Sequence, residues 1–147
     1  MKQFVCPHCG AVNRAPEGRD ARQAKCGKCH QTLLTGAPVE VSTVQLAAHR
    51  ASTKGAALLV DVWAPWCGPC KAMAPQFAAA AKDLEPDVRL LKLNSDDEPA
   101  AASALGVSGI PALFLIRDGK VVAKTAGAMP ASQIVAWTRQ ALAQAPV

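Results

Sequence analysis

The chain has 147 residues, half of them hydrophobic, and a formal net charge of +5. That is enough apolar material for one domain of ordinary size, or one plus a small module, and no apolar run approaches the ~20 residues needed to span a membrane. The charge is uneven: residues 1–36 hold six Lys/Arg against Glu17 and Asp20, whereas the remainder is nearly balanced at ten against nine. Phe4 is the one aromatic in the basic piece, too few for a base-stacking platform. A solvated face is therefore the simpler reading of its charge, and nucleic acid is not expected as a partner. The first residues, Met1 to Cys6, lack the apolar stretch of a secretory signal. This points to a cytoplasmic location, where six cysteines serve as metal ligands or catalytic thiols rather than as a disulfide framework.

In chain order, Cys6-Pro7-His8-Cys9 is followed after sixteen residues by Cys26-Gly27-Lys28-Cys29. Two Cys-x2-Cys turns at this spacing suit a four-thiolate zinc site, with Gly10 and Gly27 easing the turns. Four thiolates fill a tetrahedral shell, so such a zinc is structural rather than a catalytic Lewis acid. Two disulfides or a second redox pair are the alternatives. His8 and His30 flank the cysteines and could replace one ligand, but neither is needed. Phe4, Val5, Val12, Leu33 and Leu34 are the main large apolar residues of this piece, so metal binding would supply much of its folding free energy. Thr35-Gly36-Ala37-Pro38 reads as a linker. The expected division is a metal-binding module over 1–36 and a second domain over 37–147.

Val39-Glu40-Val41 alternates as a short strand. Ser42 or Thr43 caps a helix to about Ser52, with Val44, Leu46 and Ala47 facing inward. Ala57 to Val62 is a buried strand, nearly continuous in apolar residues but for Asp61. Trp63-Ala64-Pro65-Trp66-Cys67-Gly68-Pro69-Cys70-Lys71 follows, and then a helix to Leu84 with Pro75 inside it. Val88 to Asn94 is another strand, and Ser95 or Asp96 caps a short helix from about Glu98 to Leu105. Ala112 to Ile116 and Val121 to Thr125 form a hairpin about Asp118-Gly119, and Pro130 opens a last helix. The order βαβαβαββα predicts an α/β fold, a mixed sheet with helices on both faces.

Cys67-Gly68-Pro69-Cys70 thus sits where a strand ends and a helix begins. The helix N-terminus favours thiolate over thiol at Cys67, and the thiolate is the nucleophile. Cys67, nearer the helix end and the surface, is expected to attack a disulfide. Cys70, deeper in the first turn, is expected to resolve the resulting mixed disulfide. Cys70 must lose a proton to do so. Asp61 is the candidate base, since burial would raise its pKa toward a useful range; the alternative is a strand-end carboxylate that reaches water. Lys92 stands mid-strand where its ammonium could pair with Asp61, or it is an ordinary edge lysine. Trp66, next to Cys67, is expected to shield the thiol and contact substrates; the alternative is a core residue. From the residues alone, Ile110-Pro111 takes the default trans bond.

Residues from about 39 to 145 resemble thioredoxins. The matching motifs are Val60-Asp61-Val62-Trp63-Ala64-Pro65-Trp66-Cys67-Gly68-Pro69-Cys70-Lys71, Lys92-Leu93-Asn94, Gly109-Ile110-Pro111 and Ala126-Gly127-Ala128. With Cys6, Cys9, Cys26 and Cys29, the chain is similar to the zinc-containing bacterial members of that family. The resemblance implies the thioredoxin fold, a cis Pro111 facing the cysteine pair, and Asp61 as the buried base for Cys70 with Lys92 near it. It implies a substrate surface at Trp66, Gly109, Ile110, Pro111 and Gly127. It also implies protein-disulfide reductase activity through Cys67 and Cys70, with thioredoxin reductase and NADPH as the electron source, disulfide-containing proteins as substrates, and a role in the response to oxidants. One structural zinc and no bound organic cofactor are expected. Val62 stands where the family usually has Phe, Ala112 where it usually has Thr after the proline, and Pro130 replaces a usual capping residue; none of these touches the thiol chemistry.

Overall fold

The computed structural model describes residues 1–145. A hairpin of β1 (Lys2–Val5) and β2 (Val12–Ala15) opens the chain, followed by a 3-10 turn at Ala21–Gln23. Then come β3 (Val39–Glu40), α1 (Thr43–Ser52), β4 (Ala57–Trp63), α2 (Gly68–Leu84), β5 (Val88–Asn94), α3 (Pro99–Leu105), β6 (Ala112–Arg117), β7 (Lys120–Ala126) and α4 (Ala131–Gln144). From β3 onward the order is the one expected from periodicity. The β1–β2 hairpin was not: its strands are four residues each, and Lys2-Gln3-Phe4-Val5 and Val12-Asn13-Arg14-Ala15 show no sustained alternation.

The main sheet runs β3-β5-β4-β6-β7. β3, β5 and β4 are mutually parallel, and β6 and β7 are antiparallel additions. The two-residue connection Asp118-Gly119 takes positive φ at both positions (52° and 79°), the backbone that a tight hairpin of this twist requires. Because strand side chains alternate, the sheet sorts its residues onto two faces. Leu59, Leu90, Leu113 and Leu115 pack under α2 and α4 with Met73, Phe77, Ile134 and Val135. Leu58, Val60, Val62, Leu91 and Phe114 pack under α1 and α3 with Leu46, Ala102 and Leu105.

Caps set the helix starts. Ser42 accepts the Gln45 N–H while Gln45 returns a bond to the Ser42 N–H, a reciprocal capping box. The expected inward face of α1 needs correction. Leu46 and His49 are buried, but Val44 is 78% exposed and Ala47 is exposed too. Neither Ser95 nor Asp96 caps α3: Asn94 Oδ1 accepts the N–H groups of Asp96 and Asp97 instead, and α3 starts after Glu98 without a side-chain cap.

The first module does not hang free. Phe4, Leu33 and Leu34 form its small core with Cys6 and Cys26, whereas Val12 points outward at 52% exposure. Gln3 bridges to Lys54, and Gly36 N–H donates to Glu85 at 2.8 Å. Arg89 of β5, which is 1% exposed, adds a buried anchor. Its guanidinium donates to the carbonyls of Val5 (3.1 Å) and Leu33, and lies 5.9 Å from the Phe4 ring centroid. Residues 1–34 thus close over the start of β5, at the opposite end of the strand from Lys92.

Candidate active site and metal centre

β4 is buried along its length and ends at Trp63; a tight turn through Pro65 and Trp66 then delivers Cys67 to the N-cap of α2. Cys67 and Cys70 form a disulfide, with Cα atoms 5.2 Å apart. Pro69 occupies the first turn of α2, where its missing N–H leaves nothing unpaired. The Cys70 N–H donates to Cys67 Sγ at 3.2 Å. Once the disulfide opens, that donor and the helix N-terminus would hold a thiolate at Cys67. Exposure barely separates the two cysteines, at 5% for Cys67 and 3% for Cys70. What distinguishes them is position: Cys67 caps the helix and Cys70 lies inside its first turn.

Ile110 packs against Ala64, Cys67 and Cys70. The Ile110-Pro111 bond is cis, as the family resemblance implies and the residue-level default does not; Glu85-Pro86 is cis as well. The Pro111 carbonyl accepts the Gly127 N–H at 2.8 Å, which brings the Gly109-Ile110-Pro111 loop and Gly127 to one surface. Gly109 and Gly127 are exposed there. Trp66 is 69% exposed, with its indole N–H on Asp96 Oδ1 at 3.2 Å. Trp66 is therefore a surface residue beside the disulfide and not core.

Asp61 lies in β4 on the face covered by α2, is 1% exposed, and has an Oδ1 with no hydrogen-bond partner. Burial pushes its pKa up to about 7; Lys92 pulls it down and Glu40 pushes it up. Lys92 is Asp61's register partner on β5. The two form no ion pair within 4 Å, and the ammonium instead sits 4.8 Å over the Trp63 ring. Trp63 in turn donates its indole N–H to Glu40 at 3.1 Å. Sequence reasoning passed over Glu40, because only the strand order places β3 beside β5.

At the other pole, the sulfurs of Cys6, Cys9, Cys26 and Cys29 all lie within 4.8 Å of one another, and His8 and His30 stay outside the cluster. The Cys6–Cys29 and Cys9–Cys26 separations are 3.6 Å each. Tetrahedral zinc with bonds of ~2.3 Å needs sulfur–sulfur edges of about 3.8 Å, so the four residues fit a metal ion. They are too far apart for the alternative of two formed disulfides. Donors also point at the sulfurs: His8 N–H at Cys6, and Lys28 N–H and Asn13 Nδ2 at Cys26, each at 3.4 Å. Such donors favour thiolates, the form that binds metal. The two turns are near copies of one another. In each, the residue after the second cysteine takes positive φ, Gly10 at 80° and His30 at 66°, and donates its N–H to the first cysteine's carbonyl. The easing residues are thus Gly10 and His30; Gly27 does not adopt that conformation.

A cysteine pair at a helix N-cap, a cis Ile110-Pro111 bond whose isoleucine packs on that pair, and a buried carboxylate in the preceding strand define a thiol-disulfide oxidoreductase site. Residues 40–140 match the thioredoxin family, and residues 5–31 match the model described as "Thioredoxin 2, N-terminal", a zinc ribbon. The chain belongs to the thioredoxin family, whose activity is protein-disulfide oxidoreduction. It is 40% identical over 141 residues to thioredoxin C-3 of Corynebacterium nephridii, with 96% of each chain covered. It is 43% identical over 83 residues to a thioredoxin of Haemophilus influenzae, covering 56% of this chain and 78% of that one. Among solved structures it resembles spinach chloroplast thioredoxin f (TM-score 0.67, 27% identity, 74% of this chain and 89% of that one). It also resembles a variant thioredoxin from Halobacterium salinarum (TM-score 0.65, 28% identity, 76% and 96%). Among the described residues no helix is long and apolar enough to cross a membrane.

Proposed function

We propose that this chain reduces protein disulfides through Cys67 and Cys70. The Cys67 thiolate attacks a substrate disulfide, forming a Cys67–substrate bond and releasing one substrate thiolate. Cys70 gives its proton to Asp61 and attacks Cys67 Sγ, and the second substrate sulfur leaves. Two electrons pass to the substrate, and the chain is left with its Cys67–Cys70 disulfide. The observation that carries this reading is the placement of the pair at the N-cap of α2, on the sheet face that holds Asp61. A carboxyl group with a pKa of about 7 is half ionised at neutral pH and can both take and return a proton. Lys92, through its charge, keeps that pKa from rising further. Trp66, Gly109, Ile110, Pro111 and Gly127 are the surface on which substrate would lie.

Thioredoxin reductase, drawing on NADPH, is the donor that returns the chain to its dithiol form; neither is held by the chain as a cofactor. Cys6, Cys9, Cys26 and Cys29 hold one structural zinc in a module over residues 1–36, and residues 37–147 form the thioredoxin domain. Four metal-binding thiolates and a working dithiol in one chain suit a reducing compartment, the cytoplasm, and the resemblance to zinc-containing members supports a role in the response to oxidants. The test is NADPH oxidation with thioredoxin reductase, insulin as the disulfide, and the zinc-loaded chain. Turnover that Cys67→Ser abolishes is the expected result. No turnover from intact, zinc-loaded protein would overturn the assignment of this donor and this direction of electron flow.

A further inference from the structure

Three parallel strands place three charged side chains in one row. Glu40 of β3 is the register partner of Lys92 on β5, and Lys92 is the register partner of Asp61 on β4. Register partners on parallel strands point to the same face, so the row reads acid, base, acid across the sheet beneath the start of α2. Lys92 stands between two carboxylates and forms an ion pair within 4 Å with neither. Its ammonium lies over the Trp63 ring, and Glu40 fixes that ring by accepting from its indole N–H.

We propose that Glu40 is a positioning residue for the proton transfer at Asp61. It pins Trp63, which seats Lys92 away from Asp61, and its charge divides the attraction of Lys92 between two acids. Asp61 is thereby kept from becoming a fully paired carboxylate, which would have no affinity for the Cys70 proton at neutral pH. The inference rests on the reading of Asp61 as the base and adds to it a residue that touches neither thiol nor substrate.

The groups facing Asp61 are few. Lys92 comes from β5, with Glu40 of β3 behind it. The sulfurs of Cys67 and Cys70 pack beside Trp63 at the start of α2, and the register partner on β6 is the apolar Leu113. Asp97, in the turn after β5, acts on Glu40 and not directly on Asp61. Lys92 and Glu40 are also the two charges that act on Asp61, in opposite directions. Removing the Glu40 charge therefore both ends a repulsion and releases a cation, and the two effects have the same sign.

Glu40→Gln retains an oxygen for the Trp63 N–H, so it isolates charge from packing. The experiment follows the Asp61 carboxyl carbon by NMR through a pH titration of the reduced, zinc-loaded chain, alongside the pH profile of mixed-disulfide resolution by Cys70. Glu40→Gln is expected to move both midpoints down by about half a pH unit or more, as expected for a charge one strand beyond its neighbour. In a Lys92→Met background the shift is expected to shrink, because one of the two routes is gone. Unmoved midpoints in Glu40→Gln, with the kinetic limb still lost in Asp61→Asn, would overturn the role of Glu40 alone. A kinetic limb that survives Asp61→Asn would overturn the base assignment and, with it, this inference.

Discussion

Strand β5 carries two cations three residues apart, Arg89 and Lys92, and the pleat sends them to opposite faces and opposite ends of the molecule. Arg89 is enclosed: two backbone carbonyls accept from it, an aromatic ring covers it, and Glu85 lies near. Lys92 is half-buried and forms no ion pair within 4 Å, and the fully buried acid beside it has an Oδ1 without a partner. The contrast separates two uses of charge inside a fold. Arg89 Nε has no partner, but a buried charge whose other two nitrogens are held by fixed backbone acceptors is an anchor, since moving it would orphan both sides. A buried carboxylate left without a full set of partners keeps a proton affinity near neutrality and can do chemistry.

Arg89→Met tests the anchor in that comparison. It leaves the carbonyls of Val5 and Leu33 without their donor under a closed interface, and a loss of about 3 kcal/mol in urea unfolding is expected. Residues 1–36 should become susceptible to protease, with the metal affinity of the four cysteines little changed. Unchanged stability would show that the guanidinium is not what joins the two parts.

Asp61→Asn should act in the opposite direction. The folded chain holds the Asp61 proton up to pH about 7, against 3.8 in the reference state. Between those values the folded state binds more protons than the unfolded one, so this residue's contribution to stability falls as pH rises and is least favourable above pH 7. The Asn variant should therefore be more stable than the parent by about 2–4 kcal/mol at pH 8, and by little at pH 4. His49 pulls the other way. Burial, with Arg89 beside it, lowers its pKa to about 4, so stability is lost as pH falls from 6.5 toward 4. With Asp61 removed, the loss due to His49 should emerge as a steeper acid decline.

The smallest effect concerns the paired turns of the metal centre. His30 holds the left-handed conformation that Gly10 occupies in the other turn. His30→Gly should leave metal stoichiometry at one per chain and change stability by no more than about 1 kcal/mol, with the relief of strain offset by the freer unfolded chain.

The redox pair was legible because its chemistry is local. A buried apolar strand, two cysteines two apart and a proline in the first helical turn occupy consecutive positions, and the structure keeps them in that order. The four-thiolate centre was legible for the same reason, within each turn. Val44, by contrast, was misread as inward-facing, because a ten-residue helix offers few turns from which to fix the phase of its apolar stripe. Glu40 and Arg89 gave no local signal at all. One sits in a two-residue strand, the other in an apolar strand where an arginine reads as an edge residue.

By itself the sequence determined the elements from β3 onward, their order, the two cysteine constellations and the presence of a carboxylate in a buried strand, since each of these depends on residues within one turn or one strand. Only the tertiary structure decided which charges meet. The order β3-β5-β4 sets Glu40, Lys92 and Asp61 in one row, and the docking of the first module over the start of β5 turns Arg89 from a surface cation into a buried anchor. Strand order and module docking are contacts between residues far apart in the chain, and no short stretch of side chains encodes them.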